Sequence, residues 1–353
     1  MAKLNVAILD NDKLFMSSVA DYLQKKDISV SSFSNQEKFL EWLEEYTGSF
    51  DVLLVSQDWA EHEYGSKIRL KIIMASDEDY ESDTPAIFKF QPGERLLENI
   101  YRIMSHGKKK SADKSKTKML GVFSASGGAG KSVIAAAICR AAADKGLNVF
   151  YLGMEDMPSS GLFFHGQGKR NMSYVFYNIK NKATNMSYRI EQTRCIDEHS
   201  KVHFICPPES AQEFFELSPD ELQTLFGEFK ATGYDLIVVD LPAGLNSITR
   251  AASEICDKML YVIEDSVLGW HKYEVLVRET NLLKLSGFVT DRIIAVINKL
   301  KSNNHPEVEY YPVYRIPVLG DLFVQNDEGN TLFYPSRELL NTAHHITQQV
   351  FKG

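Results

Sequence analysis

Residues 125–132 form a glycine-rich segment that ends in a lysine and a serine, Ala-Ser-Gly-Gly-Ala-Gly-Lys-Ser. The apolar run at 119–123 predicts a strand before it, and the alanine-rich stretch from Lys131 to Gly146 predicts a helix after it. A strand, a glycine-rich turn and a helix form the arrangement that holds phosphate in P-loop proteins. Glycine lets backbone N–H groups approach phosphate oxygens, and the helix N-terminus adds partial positive charge. The segment therefore predicts a nucleotide site.

The polar side chains of this segment have distinct expected roles. Lys131 is expected to bridge the β- and γ-phosphates, and the Ser132 hydroxyl to bind Mg²⁺. The nucleotide-binding residues predicted in this segment are Ser126, Gly127, Gly128, Ala129, Gly130, Lys131, Ser132 and Val133.

The loop resembles the deviant P-loop of the ParA/MinD superfamily, whose pattern is Lys-Gly-Gly-x-Gly-Lys-Ser/Thr. Residues 127–132 match it, but Ser126 stands in the place of the signature lysine, and Ala125 in the place of the first glycine of a standard Walker A loop. In that family the signature lysine reaches across a nucleotide-sandwich dimer to the partner's phosphates. The resemblance implies ATP and Mg²⁺ as cofactors and a homodimer. Because one cation is missing, we expect a weak ATPase with slow hydrolysis, or a dimer held by other contacts.

Three later segments resemble further parts of that family in the same chain order. Residues 234–244 resemble the Walker B strand and switch II, which implies that Asp240 faces the Mg²⁺ shell together with Ser132. Residues 149–156 resemble switch I, which implies that Glu155 orients the attacking water; the alternative is an exposed loop acid. The catalytic residues implied by the resemblance are Lys131, Glu155 and Asp240.

Residues 293–299 resemble the strand whose asparagine contacts adenine. Asn298 carries the amide donor and acceptor that suit an adenine edge, although asparagine also ends many ordinary strands. Lys299 belongs to the same predicted nucleotide-binding set, and residues 316–320 resemble the loop that closes the base pocket.

Residues 1–105 alternate short apolar runs with helical patterns. Strands are expected at 6–9, 30–33, 52–55, 72–74 and 86–88, and helices at 14–25, 36–46 and 94–104. This alternation predicts a parallel sheet with helices on both faces. The segment resembles a response-regulator receiver, a flavodoxin-like fold, with Asp10, Asp12 and Lys89 at the family's acidic and basic positions. Ser56 replaces the phosphate-accepting aspartate, so we expect a pseudo-receiver that makes protein contacts; phosphorylation at Asp58 is the alternative.

A lysine-rich stretch separates the two parts. Residues 106–118 contain six lysines and no large apolar side chain, so we expect a flexible linker between a receiver-like domain at 1–105 and an ATPase domain at 119–353. The second part is expected to have its own α/β sheet, with strands at 119–123, 149–152, 202–206, 236–239, 258–263 and 293–297. The fold class expected for the whole chain is a receiver-like α/β sheet joined to a larger P-loop α/β domain.

Composition limits the remaining possibilities. The formal charge of −8 argues against a general polyanion binder, and no run approaches the roughly 20 apolar residues that span a bilayer. The four cysteines have no metal-ligand spacing, which favours the cytoplasm. Residues 336–351 have one apolar face and predict a final packing helix rather than a membrane-targeting tail.

An atypical receiver followed by a deviant P-loop ATPase resembles the TadZ/CpaE proteins that assemble Tad/Flp type IV pili. The resemblance implies a dimeric ATP-dependent switch at the cell pole or the inner-membrane face. Its implied partners are pilus-assembly or polar-marker proteins, with no sequence-specific nucleic acid. Two alternatives are a partitioning or positioning ATPase whose linker lysines touch DNA, and a two-component output protein.

Overall fold

In the computed structural model, which describes residues 4–77, 80, 82–106, 117–166, 168, 170–183, 186–301, 305–310, 312–325 and 331–352, two mainly parallel sheets organise the chain. The chain divides into two units, residues 1–114 and 115–353, and each unit has its own sheet.

The first unit is a five-stranded parallel sheet in the order β2-β1-β3-β4-β5, which is the flavodoxin-like order. Its elements are β1 Asn5–Leu9, α1 Lys13–Lys25, β2 Ser29–Phe33, α2 Gln36–Glu45, β3 Val52–Ser56, β4 Lys71–Ala75, β5 Ala86–Phe88 and α3 Gly93–His106. The predicted strands and helices are all present, with ends moved by one or two residues. Strand β3 is buried throughout, as expected for an apolar strand covered on both faces.

The connections after β3 and β4 depart from a regular strand-helix alternation. After β3 the chain forms a three-residue 3₁₀ turn at Gln57–Trp59, and the described residues between β4 and β5 contain no helix. Side chains from the connection between β3 and β4, including Tyr64 and Ala60, pack on one face of the sheet. This loop therefore covers a part of the sheet that a helix covers in a regular strand-helix alternation.

The second unit is built around an eight-stranded sheet in the order β13-β12-β11-β6-β10-β7-β9-β8, parallel except for the β8–β9 pair. Its elements are β6 Lys118–Phe123, α4 Lys131–Ala143, β7 Val149–Gly153, α5 Ser160–Phe163, α6 Met172–Lys180, α7 Met186–Thr193, β8 Cys195–Ile196, β9 His203–Phe204, α8 Pro219–Lys230, β10 Leu236–Asp240, α9 Ser247–Ile255, β11 Lys258–Glu264, α10 Val267–Leu283, β12 Ile293–Leu300, β13 Val313–Pro317, β14 Phe323–Gln325, β15 Thr331–Phe333 and α11 Arg337–Phe351. The α/β fold class expected from the sequence is confirmed.

Helices cover both faces of the larger sheet. On one face, the alanines of α4 pack in one apolar cluster with Leu339 and Ile346 of α11. On the other face, the cluster includes Phe226 of α8 and Trp270 of α10. Small side chains let α4 approach the sheet closely, and this approach fixes the position of its N-terminus.

Some predicted boundaries were wrong. The strand expected at 202–206 is only His203–Phe204, and β13 takes in the first two residues of the loop expected at 316–320. Helix α3 extends through His106 and β6 begins at Lys118, so the predicted linker is shorter at both ends; its residues 107–116 lie outside the described part. Within the part described, no helix is long and apolar enough to span a bilayer.

We expect Gly146→Ala to destabilise the second unit by about 1 kcal/mol, because Gly146 follows α4 with a φ of +80° that only glycine adopts freely. A Cβ there meets no atom within 4 Å, so the cost is conformational. The matched change Gly227→Ala lies inside α8, where a Cβ also meets nothing, and it is expected to stabilise by about 0.5–1 kcal/mol. Urea denaturation measures both; equal signs for the two variants would contradict this account.

Candidate functional site

The carboxyl ends of several parallel strands meet at one edge of the larger sheet. Strand β6 lies between β10 and β11, and the chain crosses from one side of β6 to the other between those two strands. In open α/β sheets a ligand crevice forms at such a reversal of strand order. The loop between β6 and α4 occupies this place.

The backbone of that loop is shaped by two glycines in left-handed conformations. Gly128 has a φ of +75° and Gly130 a φ of +94°, and Gly130 caps α4 without a side-chain hydrogen bond. A Cβ on Gly130 would lie 2.3 Å from Nδ2 of Asn298. In the described part of the chain, the backbone N–H groups of residues 128–133 bind no acceptor. The loop therefore presents a row of free amide donors at a helix N-terminus, which suits an anion.

Lys131 adds a full positive charge to these donors. Its side chain is 8% exposed, and no hydrogen bond or ion pair holds its ammonium group among the described residues. A nearly buried ammonium group without an acceptor is costly, so the site is built for an anionic ligand. Ser126, earlier in the same loop, is also buried, and its carbonyl accepts a hydrogen bond from Ser124 Oγ. Val133 packs its side chain against the apolar cluster that contains α4.

Two carboxylates face this positive end. Asp240 ends β10 and is fully buried; its Oδ2 accepts a 2.7 Å hydrogen bond from the Tyr151 hydroxyl, and its Oδ1 has no partner in the described residues. Glu155, two residues after β7, accepts a 2.5 Å hydrogen bond from Ser132 Oγ. The other oxygen of Glu155 accepts bonds from the backbone N–H and the hydroxyl of Ser159.

The carboxyl group of Asp240 titrates near neutral pH. Burial, and to a lesser extent the negative charge of Glu155, raise its pKa from 3.8 to about 7, although Tyr151, Ser132 and Lys131 act in the opposite direction. An acid with this pKa is partly protonated in the nucleotide-free protein. A cation at Oδ1 would favour its charged form.

The residues present fit Mg²⁺. The hydroxyl of Ser132 and the unpartnered Oδ1 of Asp240 are hard oxygen donors, the type that this ion prefers. No group of three or more His, Cys, Asp or Glu side chains that could hold a metal occurs in the described residues. A Mg²⁺ ion here would therefore depend on ligand phosphates and water for the rest of its coordination.

Asn298 and Lys299, at the end of β12, contact the loop from the other side. Asn298 Nδ2 donates to the Ala129 carbonyl at 2.8 Å, and Lys299 Nζ donates to the Gly128 carbonyl at 2.8 Å. Lys299 also pairs with Glu264 of β11 at 2.8 Å. Among the residues that the structure describes, the second amide hydrogen and the side-chain oxygen of Asn298 have no further partner, which leaves them for the adenine contact that the resemblance implies.

The first unit keeps an acidic pocket at the carboxyl edge of its own sheet. Lys89 pairs with Asp10 at 2.8 Å, and the other oxygen of Asp10 is buried with no partner in the described residues. Ser56 ends β3, where the receiver resemblance expects an aspartate. Asp58 lies on the following 3₁₀ turn, exposed, and accepts a 3.2 Å bond from Asn11 Nδ2.

Sequence patterns found the loop but missed three of its supporting residues: Tyr151, Ser159 and Glu264. Tyr151 lies on a strand that was predicted, yet only the register of β7 with β10 places its hydroxyl on Asp240. Glu264 is opposite Asn298 in the parallel pair of β11 and β12. Ser159 follows Glu155 at a spacing of four residues, which is too common a pattern to be informative.

No family model and no curated protein matches the chain. Among solved structures it is similar to a ParA family ATPase from Chlorobium tepidum, with 16% identity, 68% of this chain and 94% of that chain covered, and a TM-score of 0.48. It is also similar to a putative plasmid partition protein from Borrelia burgdorferi bound to AMPPNP, with 17% identity, 67% of this chain and 98% of that chain covered, and a TM-score of 0.46. A third similar structure is the septum site-determining protein MinD from Pyrococcus horikoshii complexed with Mg-ADP, with 18% identity, 52% of this chain and 70% of that chain covered, and a TM-score of 0.38. Similar folds carry many activities.

We expect Asp240→Asn to stabilise the nucleotide-free chain by roughly 1–3 kcal/mol at pH 8 and by much less at pH 5. The folded-state pKa of about 7 lies above the ordinary 3.8, so stability from this group is lost as pH rises through 7, and asparagine removes that loss. Urea denaturation at both pH values, with the exposed Asp156→Asn as control, measures the effect. A gain that is equal at both pH values would contradict the assignment of the buried charge.

Proposed function

We propose that the second unit binds ATP with Mg²⁺ at the loop between β6 and α4, and that ATP occupancy switches the state of the protein. The observation that carries this proposal is the ammonium group of Lys131, nearly buried at a helix N-terminus beside six amide donors with no acceptor in the described residues. Three phosphates supply the negative charge that such a cradle lacks.

Each loop group has a defined task in this proposal. The amides of residues 128–133 bind phosphate oxygens, and Lys131 neutralises charge on the β- and γ-phosphates. Ser132 and Asp240 would hold Mg²⁺, which when bound neutralises further phosphate charge. Asn298 lies next to the loop and is proposed to contact adenine.

Hydrolysis is proposed to be slow. Glu155 is held by Ser159 and lies within hydrogen-bond reach of Ser132, a place from which its carboxylate can orient a water molecule at the phosphates. Ser126 supplies a neutral side chain where the ParA/MinD resemblance expects a lysine, so charge developing on the phosphates has one cation less.

We expect Lys131→Ala to weaken ATP binding by about 10- to 100-fold, because it removes a charge-assisted contact worth on the order of 1.5–3 kcal/mol. Titration calorimetry with Mg-ATP measures this in the full chain. Lys145→Ala is the control, since Lys145 is exposed just beyond the other end of the same helix. Equal ATP affinities for wild type and Lys131→Ala would overturn the site assignment.

For the cell, we propose a homodimeric switch, with a receiver-like domain at 1–105 and an ATPase domain at 119–353. The proposed role is to localise or recruit Tad/Flp pilus machinery at the cytoplasmic pole or inner-membrane face through pilus-assembly or polar-marker proteins. The support is the resemblance to TadZ/CpaE proteins and the pairing of a five-stranded flavodoxin-like unit with a P-loop unit. A fluorescent fusion in a pilus-assembling host tests it; diffuse fluorescence and unchanged piliation on deletion would reject this role. Salt-dependent DNA binding would favour the partitioning alternative.

The two-component alternative is tested on the first unit. We expect acetyl phosphate to leave it unmodified, because Ser56 cannot form an acyl phosphate and Asp58 is exposed on the turn beyond β3. Mass spectrometry of the full chain under mild conditions measures the modification. Stoichiometric phosphate on Asp58 that disappears in Asp58→Asn would refute the pseudo-receiver hypothesis; Asp83→Asn serves as the control variant.

A further inference from the structure

Strand β12 ends in an irregularity, where two side chains contact the loop between β6 and α4, called the phosphate loop below. Its register with β13 shifts between Ile297 and Leu300. Lys299, within this shift, has a φ of +56°, a left-handed conformation that lysine rarely adopts. Such a conformation persists only where surrounding contacts hold it, and it often marks a functional position.

The contacts that hold Lys299 are with the phosphate loop and with β11. Its ammonium donates to the carbonyl of Gly128 and to Glu264 Oε1, both at 2.8 Å, while the neighbouring Asn298 donates to the carbonyl of Ala129. Two consecutive carbonyls of the loop are therefore bound by two consecutive residues of β12.

Binding these carbonyls also orients the amides that follow them. In a trans peptide the C=O and N–H groups point in opposite directions. Fixing the Gly128 carbonyl toward β12 turns the N–H of Ala129 away from β12, and fixing the Ala129 carbonyl does the same for Gly130. Both of these N–H groups are among the free donors described above.

The Lys299–Glu264 ion pair is too exposed to be mainly a stabilising feature. Its side chains are 42% and 28% exposed, and ion pairs at such exposure contribute little to folding stability. The ion pair instead holds the Lys299 ammonium group against the Gly128 carbonyl.

We propose that Lys299, steered by Glu264, is a positioning residue that pre-forms the phosphate-binding loop by holding the Gly128 carbonyl turned out of the cradle. This inference rests on the proposed ATP site. It assigns to Lys299 a role through the loop backbone and not through contact with the nucleotide.

The test uses the full chain and three variants of this tether. We expect Lys299→Met to weaken Mg-ATP binding about fivefold to tenfold, as for loss of a partly exposed charged hydrogen bond, and Lys299→Arg to restore most of the affinity. Backbone ¹⁵N order parameters of residues 127–133 in the nucleotide-free protein should fall in Lys299→Met, because the loop loses a contact that holds it. Lys301→Met, an exposed lysine at the same strand end, is expected to change neither measurement.

The variant Glu264→Gln distinguishes a positioning role of Lys299 from a simple electrostatic effect on the nucleotide. Removing a negative charge near an anion site should tighten ATP binding if only electrostatics matters, whereas the tether predicts weaker binding and lower order parameters in the loop. Tighter binding in Glu264→Gln, or unchanged affinity in Lys299→Met, would overturn the inference while the ATP site stands. If wild type itself fails to bind ATP, the proposed function falls and this inference falls with it.

Discussion

Six backbone N–H groups, in the loop before α4 and in its first turn, have no acceptor in the described part of the chain. The residues around them hold these donors in place. Gly128 and Gly130 give the loop its left-handed turns, and Asn298 occupies the space that a Cβ on Gly130 would need. The alanine-rich helix holds these donors against the sheet, where small side chains permit a close approach. A ligand can supply at once what folding leaves unpaired.

The carboxyl groups of Asp240 and Glu155 lie at the same edge of the sheet as the positive charge of Lys131, and these charges do not cancel. Glu155 lies close enough to Asp240 that its negative charge raises the pKa of Asp240, and Lys131 offsets only part of that effect. Burying such a set costs stability in the nucleotide-free state. A triphosphate with a divalent cation would compensate both signs, so binding and folding energy are linked at this site.

The first unit presents a different balance. Asp10 and Lys89 retain a buried ion pair at the carboxyl edge of the sheet, but β3 ends in Ser56 and not in a carboxylate. The pocket therefore keeps a charge arrangement without a group that can accept a phosphoryl group there. The loop that covers the sheet after β3 gives this unit a surface unlike that of a regular strand-helix alternation.

Sequence alone determined the features that depend on neighbouring residues. The glycine-rich loop, the start of α4 at Lys131, the left-handed Gly146, the five strands of the first sheet and six of the eight strands of the second follow from local periodicity and backbone preferences. The start of helix α8 is an equally local feature, since Ser218 and Glu221 form a capping box around Pro219.

Only the tertiary structure decided which side chains meet. Tyr151 contacts Asp240, and Lys299 contacts Gly128, across sequence separations of 89 and 171 residues. Such contacts depend on the register between parallel strands, where a slip of one residue turns a side chain to the opposite face, and on the irregularity at the end of β12. Register is a property of packed neighbours, and periodicity along one strand cannot specify it.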